Sequence, residues 1–508
     1  MTDTELLTAK IDFYGQGRTN KEITLSILEE WRSGEKYPLI RDMIDAEEYF
    51  MCRNVSIQKK NRSYTDSAGI RRENPTLSNA KIPSAFVRAS VQQKVNYAVG
   101  KPFLISVESD ELEEKEDPLA DQYLQEWQTF ITPDVQKTIK RVVTNAVNKG
   151  IGWAFVTITD DMLELQEEAS QQLYPSWVDA PHTTLDAMVR DFKVIEFIKN
   201  ERTEIKKVEF WDDEVVERYV DEMGELKPDP NYAPVEPHLT LSGEGIAWGR
   251  VPFIALKGTE DELPLLNVIR QQVDAYDALQ SKYVDALLDD IDAVMAVEGY
   301  SPQMGELERA REMVQNSRIM ATDIGGKVYY VQNNPDITAA QLMKESLKKD
   351  IREFGAAVDT QDVRFGTNPS GVALKSMYQD LDVYINGLEV EFRTFINNLK
   401  YFFDIWLEFR GVGTAAQWSA YDLTVTLDRD MMINSTADIQ ETVQLMSTGV
   451  SFETLCNWNP AVESFEIEKQ RLEQEAKATR DGGDDAVFEA AVRRAVEEQN
   501  SKRQENQM

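Results

Sequence analysis

SGVALKSMYQDLDVYINGLEVEFRTFINNLKYFFDIWLEFRGVG, residues 370–413, is the stretch whose reading decides the fold. Leu374, Met377, Leu381, Tyr384, Leu388, Phe392, Phe395, Leu399, Phe402, Trp406 and Phe409 recur in it at intervals that put them on one face of an α-helix. Ser370 is a natural N-cap and Gly411 and Gly413 stop the run, so the spacing predicts a helix of about forty residues, roughly 60 Å at 1.5 Å per residue. An apolar stripe on so long a rod is a packing seam, and other elements must cover it.

Working outward, Thr360–Pro369 (TQDVRFGTNP) precedes this helix as a loop with two helix breakers and one base, Arg364. A helix is expected before it over about 336–358, opened by Asp336 or Thr338 and carrying the Glu345/Lys349 pair at a favourable spacing. Another is expected from 263 to 293, where Ile269, Val273, Tyr276, Leu279, Tyr283, Leu287 and Ile291 form one stripe. Its other face is strongly acidic, with Asp274, Asp277, Asp285, Asp289, Asp290 and Asp292, and the set Asp285, Asp289, Asp290 and Asp292 reads as a solvated or pore-facing surface. The two helices flank an insert, 294–334, in which a short helix (Gly305–Asn316) and a strand (Val328–Gln332) are expected.

The N-terminal half mixes strands and helices, which makes the fold class α+β and helix-dominated. Alternating β-branched and aromatic residues predict strands at Phe103–Val107, Trp153–Thr159, Lys193–Lys199, Ile205–Trp211, Val215–Val220 and Pro252–Lys257, with another at Leu423–Leu427. Lys227–Pro237 holds four prolines in eleven residues and must be extended. Charge is segregated: Arg53–Lys101 carries ten bases against two acids, and Phe103–Asp134 is acidic with Lys115 its one base. Intersubunit complementarity, a polyanion contact and two solvated faces all remain open readings of that asymmetry. Beyond 434 shorter helices and a charged tail are expected.

Composition excludes several classes. The chain has 508 residues, 42% hydrophobic, enough for sizeable cores, with a formal charge of −34. No apolar run of about 18 residues suggests a membrane span and no leader pattern opens the sequence, so a soluble, cytoplasmic, unprocessed protein is expected. Cys52 and Cys456 are too far apart in sequence to suggest a metal-ligand pair, and His182 and His238 are the only histidines. His182, in a turn, shows no evident partner. Phosphate-binding and hydrolase signatures are missing, so no cofactor, metal or catalytic residue is assigned and the chain is not expected to be an enzyme. The competing reading is a metal-dependent nuclease on Asp285, Asp289, Asp290 and Asp292. Helical geometry argues against it, since Asp290 and Asp292 rotate away from the face shared by Asp285 and Asp289.

The order of parts, with several local phrases, resembles the portal proteins of tailed double-stranded DNA bacteriophages, in the roughly 500-residue class of long-tailed phages. The phrases are Gln93–Pro102 (QKVNYAVGKP), Trp248–Leu256 (WGRVPFIAL), Asp274–Leu287 (DAYDALQSKYVDAL), Asn368–Lys375 (NPSGVALK) and the segment from Ile433 to Leu455 that ends in SFETL. The resemblance runs from about residue 10 to 480. It implies a homo-oligomeric ring, usually of twelve subunits, at one capsid vertex of the virion, assembled in the host cytoplasm. The terminase motor packages DNA through the ring, and DNA leaves through it into the tail. It implies a wing (1–262), stem helices (263–293 and 336–359), a clip (294–335), a tunnel loop (360–369), a long wing helix and strand (370–434) and a crown with the C-terminal tail (435–508). Thr360, Gln361, Asp362, Val363, Arg364, Phe365, Gly366, Thr367, Asn368 and Pro369 would line the DNA channel. Glu306, Glu308, Arg309, Arg311 and Glu312 of the clip would dock first the terminase and later the head-completion adaptor. The other implied partners are the major capsid and scaffolding proteins, with no membrane. The charge suits this role, because a phosphate backbone meets mainly like charge and slides without sticking.

Overall fold

A computed structural model of the chain describes residues 19–65, 71–73, 78–108, 117–198, 201–241, 244–289, 294–298, 327–331, 337–359, 371–427, 429 and 472. The chain divides into two compact units, one made of Met1–Val358 with Asp380–Arg429, the other of Asp359–Gln379 with Asp430–Met508. Apart from the first residues of its long helix, everything that follows concerns the first unit.

Helix α1 (Asn20–Arg32) opens with a capping box: the Thr19 hydroxyl accepts from the Glu22 amide at 3.3 Å, and the Glu22 carboxylate accepts from the Thr19 amide at 2.9 Å. Helix α2 (Tyr37–Phe50) follows, then α3 (Phe86–Val99), strand β1 (Leu104–Glu108), α4 (Pro118–Phe130) and α5 (Pro133–Lys149). In α5, Thr132 caps the N-terminus, Pro133 takes the position that needs no amide donor, and Ile139, Val142, Val143 and Ala146 are buried on the face that packs against the next strand.

That strand is β2 (Ile151–Thr159), central in a three-stranded sheet between β3 (Met162–Glu168) and β9 (Phe253–Lys257). A larger antiparallel sheet has the order β8 (Glu225–Pro228), β7 (Val215–Glu222), β6 (Glu201–Trp211), β5 (Leu185–Ile198), β4 (Leu173–Trp177), and the short extended piece Glu236–Pro237 joins β7. The proline-rich stretch is therefore a sheet-edge excursion, as its composition requires. Strands β5 and β6 pair from Met188↔Trp211 to Ile198↔Glu201, while β4 accompanies β5 only as far as Arg190 and β7 joins β6 only at Lys207. Among the described residues the outer half of this ribbon has no further sheet neighbour, and it exposes Phe197 (76%) and Ile195 (47%).

Next come α6 (Leu265–Asp289), β10 (Val294–Glu298), β11 (Lys327–Val331) and α7 (Ile337–Phe354). Strands β10 and β11 pair with each other and α6 packs on α7, so the two helices flank the insert as a hairpin. Helix α8 (Gly371–Phe409) has 39 residues, and β12 (Asp422–Thr426) closes onto β1.

The stripe on α8 is an aromatic seam. Leu381, Leu388, Phe392, Phe395, Leu399, Phe402, Phe403 and Trp406 are all buried. Trp127 of α4 stacks on Phe403 at 4.1 Å, Tyr123 of α4 on Trp418 at 5.1 Å, and Trp248 meets Phe402 edge-on at 5.2 Å. The Tyr123 hydroxyl donates to buried Asp404, which Lys400 also neutralises at 2.9 Å. Phe409 is 41% exposed, so the buried stripe ends a turn before the helix does. A second core lies where Ile27, Leu28 and Trp31 of α1 meet Trp153, Trp177, Val208, Phe210 and Phe253 of the two sheets.

Strands β3 and β4 are absent from the sequence reading. The turn before β3 is Asp160-Asp161, both residues with positive φ (51° and 63°), and the strand itself reads MLELQEE. A tight turn made by two aspartates rather than Asn-Gly, followed by helix-favouring residues, hides a hairpin that packing against β2 enforces.

Candidate functional site

Helix α6 carries Asp285, which sequence alone groups with Asp289, Asp290 and Asp292 as a solvated or pore-facing surface, and the structure corrects that reading for Asp285. Asp274, Asp277, Ser281 and Asp285 fall at intervals of three, four and four residues, one line along the helix. They receive donors from α2 and from the basic N-terminal segment. The amides of Ser84, Ile82 and Ala80 donate to Asp277 Oδ1 at 2.9 Å, Ser281 Oγ at 3.0 Å and Asp285 Oδ1 at 2.6 Å. Asn54 also donates to Asp277, Lys60 Nζ reaches Asp285 Oδ2 at 2.5 Å, and Tyr49 and Ser56 donate to Asp274.

The match is geometric. Alternate residues of an extended chain are about 6.6 Å apart and four helical residues rise about 6.0 Å, so an extended strap and a helix running in opposite directions stay in step over three contacts. A helix side-chain row thus takes the place of a strand partner along Ala80–Ser84. Burial pushes the Asp277 carboxyl above its usual range despite the donors from Asn54 and Ser84.

The same geometry removes the nuclease reading. Both oxygens of Asp285, which is 3% exposed, are engaged by Lys60 and Ala80. Asp289 is the last residue of α6, and Asp290 and Asp292 lie outside the described residues. Among the described residues no group of three or more His, Cys, Asp or Glu side chains is placed to hold a metal ion. None of the open readings of the basic segment includes an intrachain role, yet Lys60 takes one through Asp285 and Lys81 donates to the Gln58 carbonyl at 2.6 Å.

His182 also needs correcting, because it does have a partner. Its Nδ1 lies 2.7 Å from Glu262 Oε1, and its ring stacks on Trp177 at 5.0 Å. Lys257 Nζ is 3.3 Å from the same Glu262 oxygen. Burial alone would raise the Glu262 carboxyl, but His182 and Lys257 outweigh it and hold the group below its usual value. Gly150 allows the approach: its φ is +88°, and a Cβ there would lie 1.9 Å from the Glu262 carbonyl oxygen. The cluster borders a cavity of about 780 Å³ lined by Trp177, Arg250, Glu391 and Phe402 among others. No hydroxyl or thiol bonds the imidazole among the described residues, so the pair is a staple between the β4–β5 turn and the approach to α6.

Gln93 and Lys94 of α3 are functional candidates that sequence reasoning did not single out. Lys94 is fully buried. Its Nζ donates to the Gly355 carbonyl and to the Ala356 carbonyl at 2.7 Å, and lies 4.5 Å from the centre of the Tyr384 ring. Gln93 bonds Val358 twice, donating to its carbonyl at 3.0 Å and accepting from its amide at 2.9 Å. Burial lowers the Lys94 amine to about 7. A lysine set among Val91, Val95 and Ala98 was the available signal. The channel residues Thr360–Pro369 and the docking residues Glu306, Glu308, Arg309, Arg311 and Glu312 lie outside the described residues.

Comparison with known proteins matches residues 35–481 to the family model described as phage portal protein, SPP1 Gp6-like. The chain belongs to this portal family. Two relatives carry the name portal protein. One, from Bacillus phage SPP1, is 26% identical over 483 residues, covering 91% of this chain and 92% of the relative. The other, from Clostridium phage phiCD119, is 24% identical over 387 residues, covering 71% and 78%. A phage portal has a structural DNA-channel role at a capsid vertex and is not an enzyme, which agrees with an acidic stripe committed to internal hydrogen bonds. No helix among the described residues of this portal chain is long and apolar enough to cross a membrane.

Proposed function

We propose that the chain is the subunit of a closed homo-oligomeric ring, of twelve copies, through which a terminase motor drives double-stranded DNA into the capsid and through which DNA later leaves for the tail. The family match along residues 35–481 carries this reading. In it, residues 1–262 form the wing, α6 and α7 the stem (263–293 and 336–359), 294–335 the clip, 360–369 the channel loop, 370–434 the long wing helix and strand, and 435–508 the crown and tail. The α6–α7 packing and the β10–β11 pair between them support the stem and clip assignment. At the clip, Glu306, Glu308, Arg309, Arg311 and Glu312 dock terminase and then the head-completion adaptor, while the wing and crown meet capsid and scaffolding proteins during assembly in the host cytoplasm.

DNA slides past a chain of −34 formal charge because few cations are offered to neutralise phosphates. Arg364 is the local exception and touches phosphate in passing or pairs with Asp362 of a neighbouring copy. Electron microscopy with native mass measurement tests the assembly: a ring with a central channel and a mass near twelve times 58.0 kDa is expected. A chain that stays at 58.0 kDa in the presence of capsid and scaffolding proteins would sink it.

A further inference from the structure

The end of α7 has an unusual turn. The Ala356 amide bonds the Glu353 carbonyl at 3.2 Å and the Ala357 amide bonds the Arg352 carbonyl at 2.9 Å, with Ala356 at φ +44°. This is the pattern in which a helix ends on a left-handed residue, a place usually taken by glycine. Here glycine stands one residue early, at 355, and an alanine holds the strained position. A turn of that kind keeps one geometry only if its surroundings impose it.

What imposes it is α3. Lys94 takes the two carbonyls at the negative end of α7, and the Gln93 side chain grips both polar groups of Val358. Val358 is the last residue of the first unit before the chain crosses into the second. One helical turn along α3, the Tyr97 hydroxyl donates to Asp382 Oδ1 at 2.7 Å, three residues after the chain returns at Gln379/Asp380. Arg429, where the chain crosses again, reaches Asp382 at 3.2 Å and Glu389 at 2.9 Å. Within the first unit, Val358, Asp382 and Arg429 are therefore each bonded to α3 or to the adjoining stretch of α8.

Lys94 forms no ion pair among the described residues, and a methionine would fill the same space without burying an amine. Its retention needs a reason beyond packing, and the carbonyls of the turn supply one. We infer that Gln93 and Lys94 are positioning residues that hold the chain in one geometry as it leaves α7 for Thr360–Pro369, so that DNA passage depends on them although they touch no DNA. The inference rests on the channel reading of that loop.

The test uses the full chain assembled into rings, with Gln93→Ala and Lys94→Met as separate variants. Rings of unchanged mass are expected, with hydrogen exchange about tenfold faster at Val358 in Gln93→Ala, since one neutral hydrogen bond and its partner's satisfaction are lost. DNA packaging into proheads should fall several-fold. Adding Ala356→Gly to Gln93→Ala should restore packaging, because glycine adopts the left-handed turn without strain, while exchange at Val358 stays fast because its amide still lacks the Gln93 acceptor. Unchanged exchange at Val358 in Gln93→Ala, packaging unaffected by faster exchange, or a double variant that packages as poorly as the single would each overturn the inference. DNA cross-linking from Arg364→Cys checks the loop separately. No cross-links, with packaging still lost in Gln93→Ala, would remove the channel assignment of the loop and uphold the positioning role.

Discussion

Replacing Asp285 by alanine isolates the ladder between α6 and the Ser78–Ser84 strap. The substitution removes the acceptor of the Ala80 amide and leaves Lys60 without its carboxylate. Breaking a buried pair costs about 3–5 kcal/mol, but the Lys60 side chain is 22% exposed and regains some water, so about 2–3 kcal/mol is expected here. This cost falls on local opening of the strap, because the cores around Trp127 and Trp153 do not touch it. At 1.4 kcal/mol per tenfold, hydrogen exchange at Ala80 should accelerate about 30- to 150-fold, while the amide of Val208 in β6 stays unchanged. Ser281→Ala, which deletes one neutral acceptor, should speed Ile82 by only about fivefold. Replacing Lys60 by methionine and Asp285 by leucine together should leave Ile82 closer to wild-type protection than Asp285→Ala does. Exchange at Ala80 within about threefold of wild type in Asp285→Ala would refute the ladder as the strap's anchor.

Other consequences are open to measurement. Phe403→Ala opens the aromatic seam beside Trp127 and should cost about 3–5 kcal/mol, seen as a lower melting temperature of the assembled protein and a loss of near-ultraviolet dichroism. Gly150→Ala combines a left-handed backbone with a collision against the Glu262 carbonyl, so its cost should exceed about 1 kcal/mol; a variant as stable as wild type would contradict the close approach. For Lys94 the folded pKa, about 7, lies below the ordinary 10.5, so below pH 7 the folded state carries a buried charge that it sheds as pH rises. Wild type should therefore gain on Lys94→Met by roughly 2–3 kcal/mol between pH 6 and pH 9, read as the difference in melting temperature, and a constant difference would argue against a buried amine.

The helical frame was legible because it rests on periodicity. The stripe from Leu381 to Trp406 and the positions of α6 and α7 emerge from three- and four-residue spacing alone. Strand β3 was hidden because Asp160-Asp161 does not announce a hairpin. The acids of α6 misled for a different reason. Charge on one helix face says nothing about what covers it, and the strap that covers it is some two hundred residues away in sequence, recognised through backbone amides that every residue but proline possesses. His182 was likewise illegible, since its partner, Glu262, lies far along the chain. Gln93 and Lys94 stand in a phrase, QKVNYAVGKP, that marks the family resemblance, yet their role becomes visible only once α7 ends beside them.

The ladder on α6 also sets a rule for sequence drift. The helix reads the amides of Ala80, Ile82 and Ser84, so the spacing between those positions is fixed. An extended chain turns alternate amides to opposite sides, so one residue inserted or deleted between Ala80 and Ser84 would present a carbonyl where a carboxylate waits for a donor. On the α6 side, a single-residue insertion between Asp277 and Asp285 would swing the row by about 100° and break the match as well. Across related phages the length of this strap should therefore hardly change.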